Sequence, residues 1–172
     1  MADEYSITRE SDMDLPNSSA PVPLDEVDRI ILDALTSSGR LANNRLAARA
    51  GVAPSTALTR LRALVERAVI RRFTIDIDLG AVGRPVQAII AVRLRSHDRA
   101  QIAAVMRLLP TLPEVVQSFH VAGDDDWLLH VAVASAEDLR DFVLDHLTVH
   151  EAVVHTRTTL VFAHDRGHPG PL

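Results

Sequence analysis

Residues 43–67 read NNRLAARAGVAPSTALTRLRALVER, and this stretch decides the fold of the first part of the chain. It predicts a short helix over residues 43–50, a tight connection at Gly51, and a longer helix that begins at Pro54 or Ser55. Proline suits the first position of a helix because its missing N–H would find no intrahelical partner there. Two short helices joined by a glycine-containing turn are typical of a helix-turn-helix.

A further helix is predicted ahead of this pair, over residues 24–38. Its apolar side chains recur at i, i+3, i+4, i+7 and i+8 and so form one buried stripe, which consists of Val27, Ile30, Ile31, Ala34 and Leu35. We expect Gly39 to end this helix and Asn43 or Asn44 to cap the next one. Residues 24–70 are therefore interpreted as a three-helix DNA-binding domain.

The third helix carries the surface that would contact nucleic acid. At about 100° per residue, its apolar side chains lie on one side, and Thr56 and Thr59 lie on the other, flanked by Ser55, Arg60 and Arg62. Short hydroxyl side chains can approach base edges, and arginine can hold phosphate or read guanine. A purely structural helix would usually carry Glu/Lys pairs on its outer face. The composition of this face favours DNA reading.

The charge distribution supports the same interpretation. Residues 40–72 carry eight arginines and one glutamate, a formal charge of +7 in a chain whose total is −5. Such asymmetry is typical of an anion-binding module attached to another domain, and the alternative is a basic solvated surface without a partner. The predicted DNA-contacting residues are Arg40, Asn44, Ser55, Thr56, Thr59, Arg60, Arg62, Arg71 and Arg72.

The sequence changes period after the third helix. Residues 69–78 alternate apolar and polar side chains, which predicts an exit strand or wing, and residues 71–85 form the predicted exit strand and linker. Further strands are predicted at residues 86–95, 115–121, 127–134 and 153–162, and helices at residues 97–109 and 136–147. The order β-α-β-β-α-β is the ferredoxin-like arrangement. One sheet face would lack a covering layer, so we expect a homodimer through this domain.

These elements define an α+β fold: an N-terminal (winged) helix-turn-helix and a C-terminal ferredoxin-like βαββαβ domain over residues 86–164. Residues 1–23 are predicted to be a disordered acidic tail, and residues 165–172 a short C-terminal tail. The chain has no cysteine, which excludes disulfides, thiolate metal sites and a cysteine nucleophile. No apolar run reaches the roughly 18 residues of a membrane helix, and no secretory signal precedes the first domain. We therefore expect a cytoplasmic location and no contact with the membrane.

Several short motifs are distributed along most of the chain. They are LDxxDxxIL at residues 24–32, LA and GV within residues 46–52, ST and RL within residues 55–61, VI at residues 69–70 followed by Phe73, VxGDxDWLL at residues 121–129, and TRT at residues 156–158. In this order and spacing the chain resembles the Lrp/AsnC (leucine-responsive, feast-famine) family of bacterial and archaeal transcriptional regulators. The family commonly has an aromatic residue where Asp125 stands, and glycines where Ala68 and Arg72 stand.

The resemblance implies a dimer that can assemble further into octamers and that responds to a small effector, typically an amino acid. The effector would bind near the glycine–aspartate loop, between neighbouring dimers, and change assembly or DNA affinity. Backbone N–H groups at a glycine turn can hold a carboxylate, and an acid can accept from an α-amino group. The alternative is a solvated acidic hairpin turn. Carried over to this chain, the effector-binding residues are Gly123, Asp124, Asp126, Thr156 and Thr158.

The sequence predicts a sequence-specific, effector-responsive DNA-binding regulator, and two other functions are alternatives to it. Some tetrapyrrole decarboxylases resemble this family in fold, and His120 and His130 could be placed around a macrocycle, but the +7 segment would then have no purpose. His146 and His150 have the i, i+4 spacing that suits zinc on a helix, yet no third ligand is evident from spacing. The sequence therefore predicts no enzymatic activity, no catalytic residue, no metal and no cofactor.

Overall fold

The computed structural model describes residues 21–95, 99–165 and 167, with the side chains of residues 99–101 and 106 left undescribed. The predictions for residues 1–20, for the first turn of the helix at residues 97–109 and for the end of the C-terminal tail lie outside the described residues. The chain divides into two compact units, one that ends at Asp76 and includes Gly167, and one that spans Ile77–Asp165.

The first unit is the predicted three-helix domain, with α1 at Glu26–Ser37, α2 at Asn43–Ala50 and α3 at Pro54–Glu66. These helices enclose a small aliphatic core of Ile31, Leu32, Ala34, Leu46, Ala50 and Leu64. The predicted apolar stripe of α1 supplies Ile31 and Ala34 to this core, and its other three residues, Val27, Ile30 and Leu35, pack against it partly buried, because side chains at i, i+3 and i+4 lie on one face of a helix. The helix-turn-helix is therefore confirmed.

The caps of these helices differ from the prediction. Asp25 caps α1 by accepting the backbone N–H of Asp28 at 2.9 Å, and Ser38 rather than Gly39 is the C-cap, with an extended φ of −153°. The residue before α2 is Ala42, which supplies no side-chain cap. The asparagine cap fails because Asn43 is already the first helical residue, and its Nδ2 donates instead to the carbonyl of Pro54 at 2.8 Å.

The turn between α2 and α3 is fixed from both ends. Gly51 has a left-handed φ of 65°, which ends α2 as predicted, since a side chain at this position would be strained. Asn43 then joins the first turn of α2 to the first turn of α3. Pro54 is the first residue of α3, as predicted, and Ala53 precedes it without a side-chain cap.

The strand predicted at residues 69–78 is not present: none of these residues belongs to a helix or strand of the described chain. Its apolar side chains are exposed, with Phe73 at 46%, Ile75 at 74% and Ile77 at 50% exposure. A backbone becomes a strand only through hydrogen bonds to a neighbouring strand, so the alternation of apolar and polar side chains is not sufficient by itself.

The second unit contains β1 (Val86–Leu94), α4 (Arg99–Leu108), β2 (Val115–His120), β3 (Trp127–Val133), α5 (Ala136–Val143) and β4 (Val153–Val161). A 3₁₀ turn, Leu109–Thr111, extends α4, and a π-helical turn, Leu144–Thr148, extends α5. All neighbouring strands are antiparallel, and their order across the sheet is β2-β3-β1-β4. The predicted βαββαβ arrangement is therefore confirmed.

Register assigns each strand residue to a face. Ile90 lies opposite Leu129, and both are fully buried on the helix-covered face, together with Ala88, Val92, Trp127 and Val131. The alternate residues of β1 form the other face, which we call the open face: Gln87, Ile89, Ala91 and Arg93. On this face His130 is buried, because its Nε2 is 2.9 Å from Gln87 Oε1 and its ring packs against that of His164.

Candidate nucleic-acid interface and effector loop

The outer face of α3 presents the hydroxyl residues that the sequence predicts as base readers. Ala57 and Leu64 are fully buried against the core, which turns Ser55, Thr56, Thr59 and Arg62 outward, where all four are exposed. Ser55, Thr59 and Arg62 lie at i, i+4 and i+7 and so share one stripe along the helix. The Thr59 hydroxyl donates to the Ser55 carbonyl at 3.0 Å, and its lone pairs are left to accept hydrogen bonds from base amino groups.

Arg60 lies off this stripe and is bonded to α1. Its Nη1 is 2.8 Å from Asp25 Oδ2 and 3.6 Å from Asp28 Oδ1. The Asp28 carboxylate is buried, with 3% of its side chain exposed, and its Oδ2 also lies 3.5 Å from Nη1 of Arg67. Arg60 and Arg67, two arginines of the basic segment at residues 40–72, therefore neutralise the buried Asp28 and link α1 to the end of α3.

The other six arginines of residues 40–72 are differently placed. No ion pair to them occurs within the described ranges, and all six are exposed: Arg40, Arg45, Arg49, Arg62, Arg71 and Arg72. Asn44 is also exposed, on the first turn of α2. Arg45 and Arg49 belong to the basic segment at residues 40–72, but their sequence positions alone predict no contact. Their position on the exposed side of α2, the first helix of the pair, places them among the candidates for phosphate binding.

The second candidate site is the loop that joins β2 to β3, residues 121–126, which we call the effector loop. Gly123 has a φ of 146°, a conformation that L side chains rarely adopt. The loop closes on itself through Val121 N–H, which donates to the Asp126 carbonyl at 3.0 Å. It is also joined to β1, since Asp126 N–H donates to the Val92 carbonyl at 3.0 Å and Leu94 N–H donates to Asp126 Oδ2 at 2.7 Å.

The three consecutive acids of this loop have different surroundings. Asp124 is exposed, and its carboxylate has no ion pair or hydrogen bond among the residues the structure describes. Asp125 is largely buried beside Arg93 and Arg157, two arginines that sequence analysis did not single out. Asp126 is half-buried and accepts the backbone hydrogen bond from Leu94. No signal in the sequence predicts which of three adjacent acids is free.

The two threonines of β4 lie at different distances from the loop. Thr156 is paired with Val92, the residue whose carbonyl receives Asp126 N–H, so this half-buried threonine lies at the loop end of the sheet. Thr158 is paired with Ile90, one step farther along the same face, and is exposed. Of the predicted effector residues, the structure thus brings Thr156 to the same end of the sheet as Gly123, Asp124 and Asp126, and places Thr158 beyond it.

The histidines do not converge on a site. His120 is paired with Trp127 and stacks on it at 5.2 Å between ring centroids, whereas His130 lies on the open face. Because Trp127 belongs to the helix-covered face, the two histidines point to opposite sides of the sheet and cannot flank one macrocycle. Among the described residues there is no group of three His, Cys, Asp or Glu that could hold a metal ion.

Hydropathy adds one further observation. Within the described part of the chain, every helix is too short or too polar to cross a membrane.

Two family models match the chain in the regions of these two candidate sites. The AsnC-type helix-turn-helix domain matches residues 24–65, and the Lrp/AsnC ligand binding domain matches residues 87–165. The chain is 46% identical over 147 residues to the HTH-type transcriptional regulator AldR of Mycobacterium tuberculosis, an alignment that covers 86% of this chain and 82% of that protein. It is 33% identical over 139 residues to the leucine-responsive regulatory protein of Rhizobium meliloti, covering 81% and 89%.

Solved structures agree with these sequence matches. The crystal structure of M. tuberculosis AldR superposes with a TM-score of 0.76 and 43% identity, covering 87% of this chain and 100% of that one. The transcriptional regulator NMB0573 of Neisseria meningitidis, solved in complex with L-Met, superposes with a TM-score of 0.76 and 31% identity, covering 87% and 96%. These proteins have the same order of helix-turn-helix and α+β domain.

Proposed function

The chain belongs to the Lrp/AsnC family of transcriptional regulators, and from that premise we propose that it binds specific double-stranded DNA through α3 and adjusts its affinity or assembly to an amino acid held at the effector loop. The relatives reported above are named as regulators of transcription, which agrees with a role in binding rather than in catalysis.

The exposed stripe on α3 is the observation that carries the DNA-binding part of the proposal. Ser55, Thr56 and Thr59 supply short polar groups that can reach base edges in the major groove, and Arg62 lies on the same side. Exposed arginines on the neighbouring segments supply the charge for phosphates: Arg40, Arg45, Arg49, Arg71 and Arg72. Asn44 would contact the DNA backbone beside these arginines. In a two-fold dimer, two such helices would face successive major grooves, so the operator should be approximately palindromic.

Arg60 can contact DNA, as the sequence predicts, only if its ion pair with Asp25 is broken. To reach a phosphate, its guanidinium would have to leave the Asp25 carboxylate 2.8 Å away. We therefore propose that Arg62 makes the stronger phosphate or guanine contact and that Arg60 chiefly joins α3 to α1.

The effector part of the proposal rests on the effector loop. Gly123 gives ligand groups close access to the backbone, and Asp124 offers an exposed carboxylate to an α-ammonium group. Asp126 and Thr156 would complete the site at the same end of the sheet, with Thr158 at its margin. The L-Met complex of the Neisseria relative supports an amino acid as the ligand class.

We also propose that the active form is a homodimer, with further assembly to octamers. The open face of the sheet carries Ile89, Ala91 and Leu128, which a second copy would cover. The exposed apolar side chains of residues 69–78 would be paired in the same assembly.

The deciding experiment is fluorescence anisotropy of the purified full chain on DNA from the region upstream of its own gene. The titration is repeated across a salt series and with each standard L-amino acid. We expect specific binding that weakens steeply with salt and shifts with at least one amino acid. Binding that is specific yet indifferent to every amino acid would refute the effector part alone. Binding no tighter than to random DNA would refute the regulator proposal.

A further inference from the structure

Asp125 lies between two guanidinium groups that come from different strands. Arg157 Nη2, on β4, donates to Asp125 Oδ2 at 2.8 Å, and Arg93 Nη2, on β1, is 4.0 Å from Asp125 Oδ1. The carboxylate is withdrawn from water, with 12% of its side chain exposed, whereas the two arginine side chains are 48% and 65% exposed. An acid this buried is stable only with cationic or hydrogen-bonding partners, so the arginines hold it in place.

Arg93 also contacts the main chain of the effector loop. Its Nε donates to the Asp124 carbonyl at 2.6 Å. One strand residue therefore contacts both the side chain of Asp125 and the backbone before it, while Arg157 contacts Asp125 from the neighbouring strand. Both arginines project from the open face, because Arg93 is paired with His155 and Arg157 with Ala91.

The three acids of the loop therefore have different roles. Asp126 accepts the Leu94 N–H and closes the end of β1. Asp125 is neutralised by Arg93 and Arg157. Asp124 alone has an exposed carboxylate for which the described chain provides no partner. Of the three carboxylates, the loop thus presents one, that of Asp124, that is both exposed and without a partner among the described residues.

We propose that Arg93 and Arg157 are positioning residues of the effector site, which act through Asp125 to hold the loop so that Asp124 and the Gly123 backbone face the ligand. The inference rests on the proposed effector function. The physical reason is preorganisation: a loop that must be ordered when the ligand arrives loses that ordering free energy from its affinity. Gly123 increases the free-energy cost of ordering the loop, since glycine has the greatest backbone freedom to lose. Contacts that hold the loop in place before the ligand binds therefore matter more.

The groups that the effector loop presents also specify the class of ligand. A ligand that carries an ammonium group can pair with Asp124, and its carboxylate can accept hydrogen bonds from the backbone N–H groups at the Gly123 turn. A zwitterionic amino acid meets both requirements. An amine without a carboxylate meets only the first and should bind more weakly.

The test uses the full chain and four variants. Asp125→Asn removes the charge with little change of shape, Arg157→Gln removes the guanidinium, and Arg157→Lys keeps a cation able to make the single 2.8 Å hydrogen bond. Arg107→Gln is the matched control, because Arg107 is exposed on α4 and makes no ion pair within the described residues. Calorimetry measures the affinity for L-methionine first and then for the other standard amino acids. DNA affinity without amino acid and hydrogen exchange of the loop amides are measured in parallel.

We expect Asp125→Asn and Arg157→Gln to weaken amino-acid binding about tenfold, as loss of a charge-assisted contact predicts. DNA affinity without amino acid should stay within about twofold of the parent, loop amides should exchange faster, and Arg157→Lys should recover most of the affinity. A parent that binds an amino acid while Asp125→Asn binds it equally well would overturn the inference and leave the proposed function intact. A parent that binds DNA but none of the amino acids overturns the effector function and this inference with it.

Discussion

Nη1 of Arg60 lies 2.8 Å from Oδ2 of Asp25, so this arginine of α3 is bonded to the cap of α1. The two helices are held together by more than apolar contact, since Asp28, one turn farther along α1, is buried beside the same arginine and Arg67. Of the two arginines of α3, Arg60 therefore has a structural role because it pairs with Asp25, whereas the exposed Arg62 is the one proposed to bind DNA.

Arg62→Ala and Arg60→Ala should have different phenotypes. We expect Arg62→Ala to weaken binding to all DNA sequences and to lower the slope of log affinity against log salt by about one, with little change in the midpoint of thermal unfolding. Arg60→Ala should lower that midpoint, because Asp28 loses one of its two cationic partners. Anisotropy titrations at several salt concentrations, with calorimetric unfolding, measure both quantities. Identical salt slopes for Arg62→Ala and the parent would show that Arg62 contacts no phosphate.

Asp25 makes the stability of the first unit depend on acid pH. The Asp28 N–H that its carboxylate accepts, with the Arg60 guanidinium beside it, holds the pKa of Asp25 below its usual 3.8. A carboxyl group with a lowered pKa stabilises the folded state above its unfolded pKa, and this contribution is lost as pH falls through the folded value. Asp25→Asn should therefore lower the unfolding midpoint at pH 7, and its midpoint should approach that of the parent only as pH falls well below 3.8. A difference between the two proteins that stays constant from pH 7 to pH 2 would contradict this origin.

The sequence predicted those features that depend on local pattern. The bounds of α2 follow from an apolar pattern ended by Gly51, whose left-handed φ supplies the stop. The ferredoxin-like order follows from strand and helix periodicity in the second half. Features that depend on contacts distant in the sequence were missed. The pairing of Arg60 with Asp25 spans two helices, and that of Asp125 with Arg157 spans 32 residues.

The strand at residues 69–78 failed for a related reason. Its alternation is real, but alternation decides only which side chains share a face, and a backbone becomes a strand only by hydrogen bonding to another strand. The DNA-contacting residues were predicted from residue type and position on the helix, and the effector-binding residues from the family resemblance. Which of them remain available to a ligand is decided by their neighbours, as the three acids of the effector loop illustrate.

The two exposed threonines of α3 should determine sequence preference. Thr56→Ala and Thr59→Ala each remove a hydroxyl from the outward stripe, so we expect the preference for operator over random DNA to fall by about tenfold, with less change in affinity for random DNA. Thr36→Ala is the matched control, because Thr36 is also exposed on a helix and its hydroxyl also bonds to a backbone carbonyl, that of Asp33 at 2.9 Å. Competition titrations give the ratio directly. Unchanged selectivity for Thr59→Ala would remove it from the base readers.

Gly51 and Gly123 provide a reciprocal test of the two sites. Both have positive φ, and a Cβ at either would meet no heavy atom within 4 Å, so replacement by alanine adds backbone strain without a clash. The strain is worth about 1–2 kcal/mol. We expect Gly51→Ala to weaken DNA binding and leave amino-acid affinity unchanged, and Gly123→Ala to do the reverse. Each variant is the other's control, and a single variant that impairs both activities would indicate general unfolding instead of a local change.

Ile75 should contribute to self-association. It is the most exposed of the alternating apolar residues in the 69–78 segment, at 74%, and lies between Phe73 and Ile77, at 46% and 50%. An exposed apolar row is a surface that a second copy can cover, and a charge placed in it opposes that contact. We expect Ile75→Asp to leave the folded monomer intact, since the side chain packs little within one copy, and to weaken dimerisation about tenfold or more. Val82→Asp is the matched control, because Val82 is similarly exposed, at 57%, but belongs to no alternating row. Sedimentation equilibrium over a concentration series measures both constants. Equal dimerisation constants for Ile75→Asp and the parent would show that residues 69–78 lie outside the interface, and the open face of the sheet would then have to account for the whole of the association.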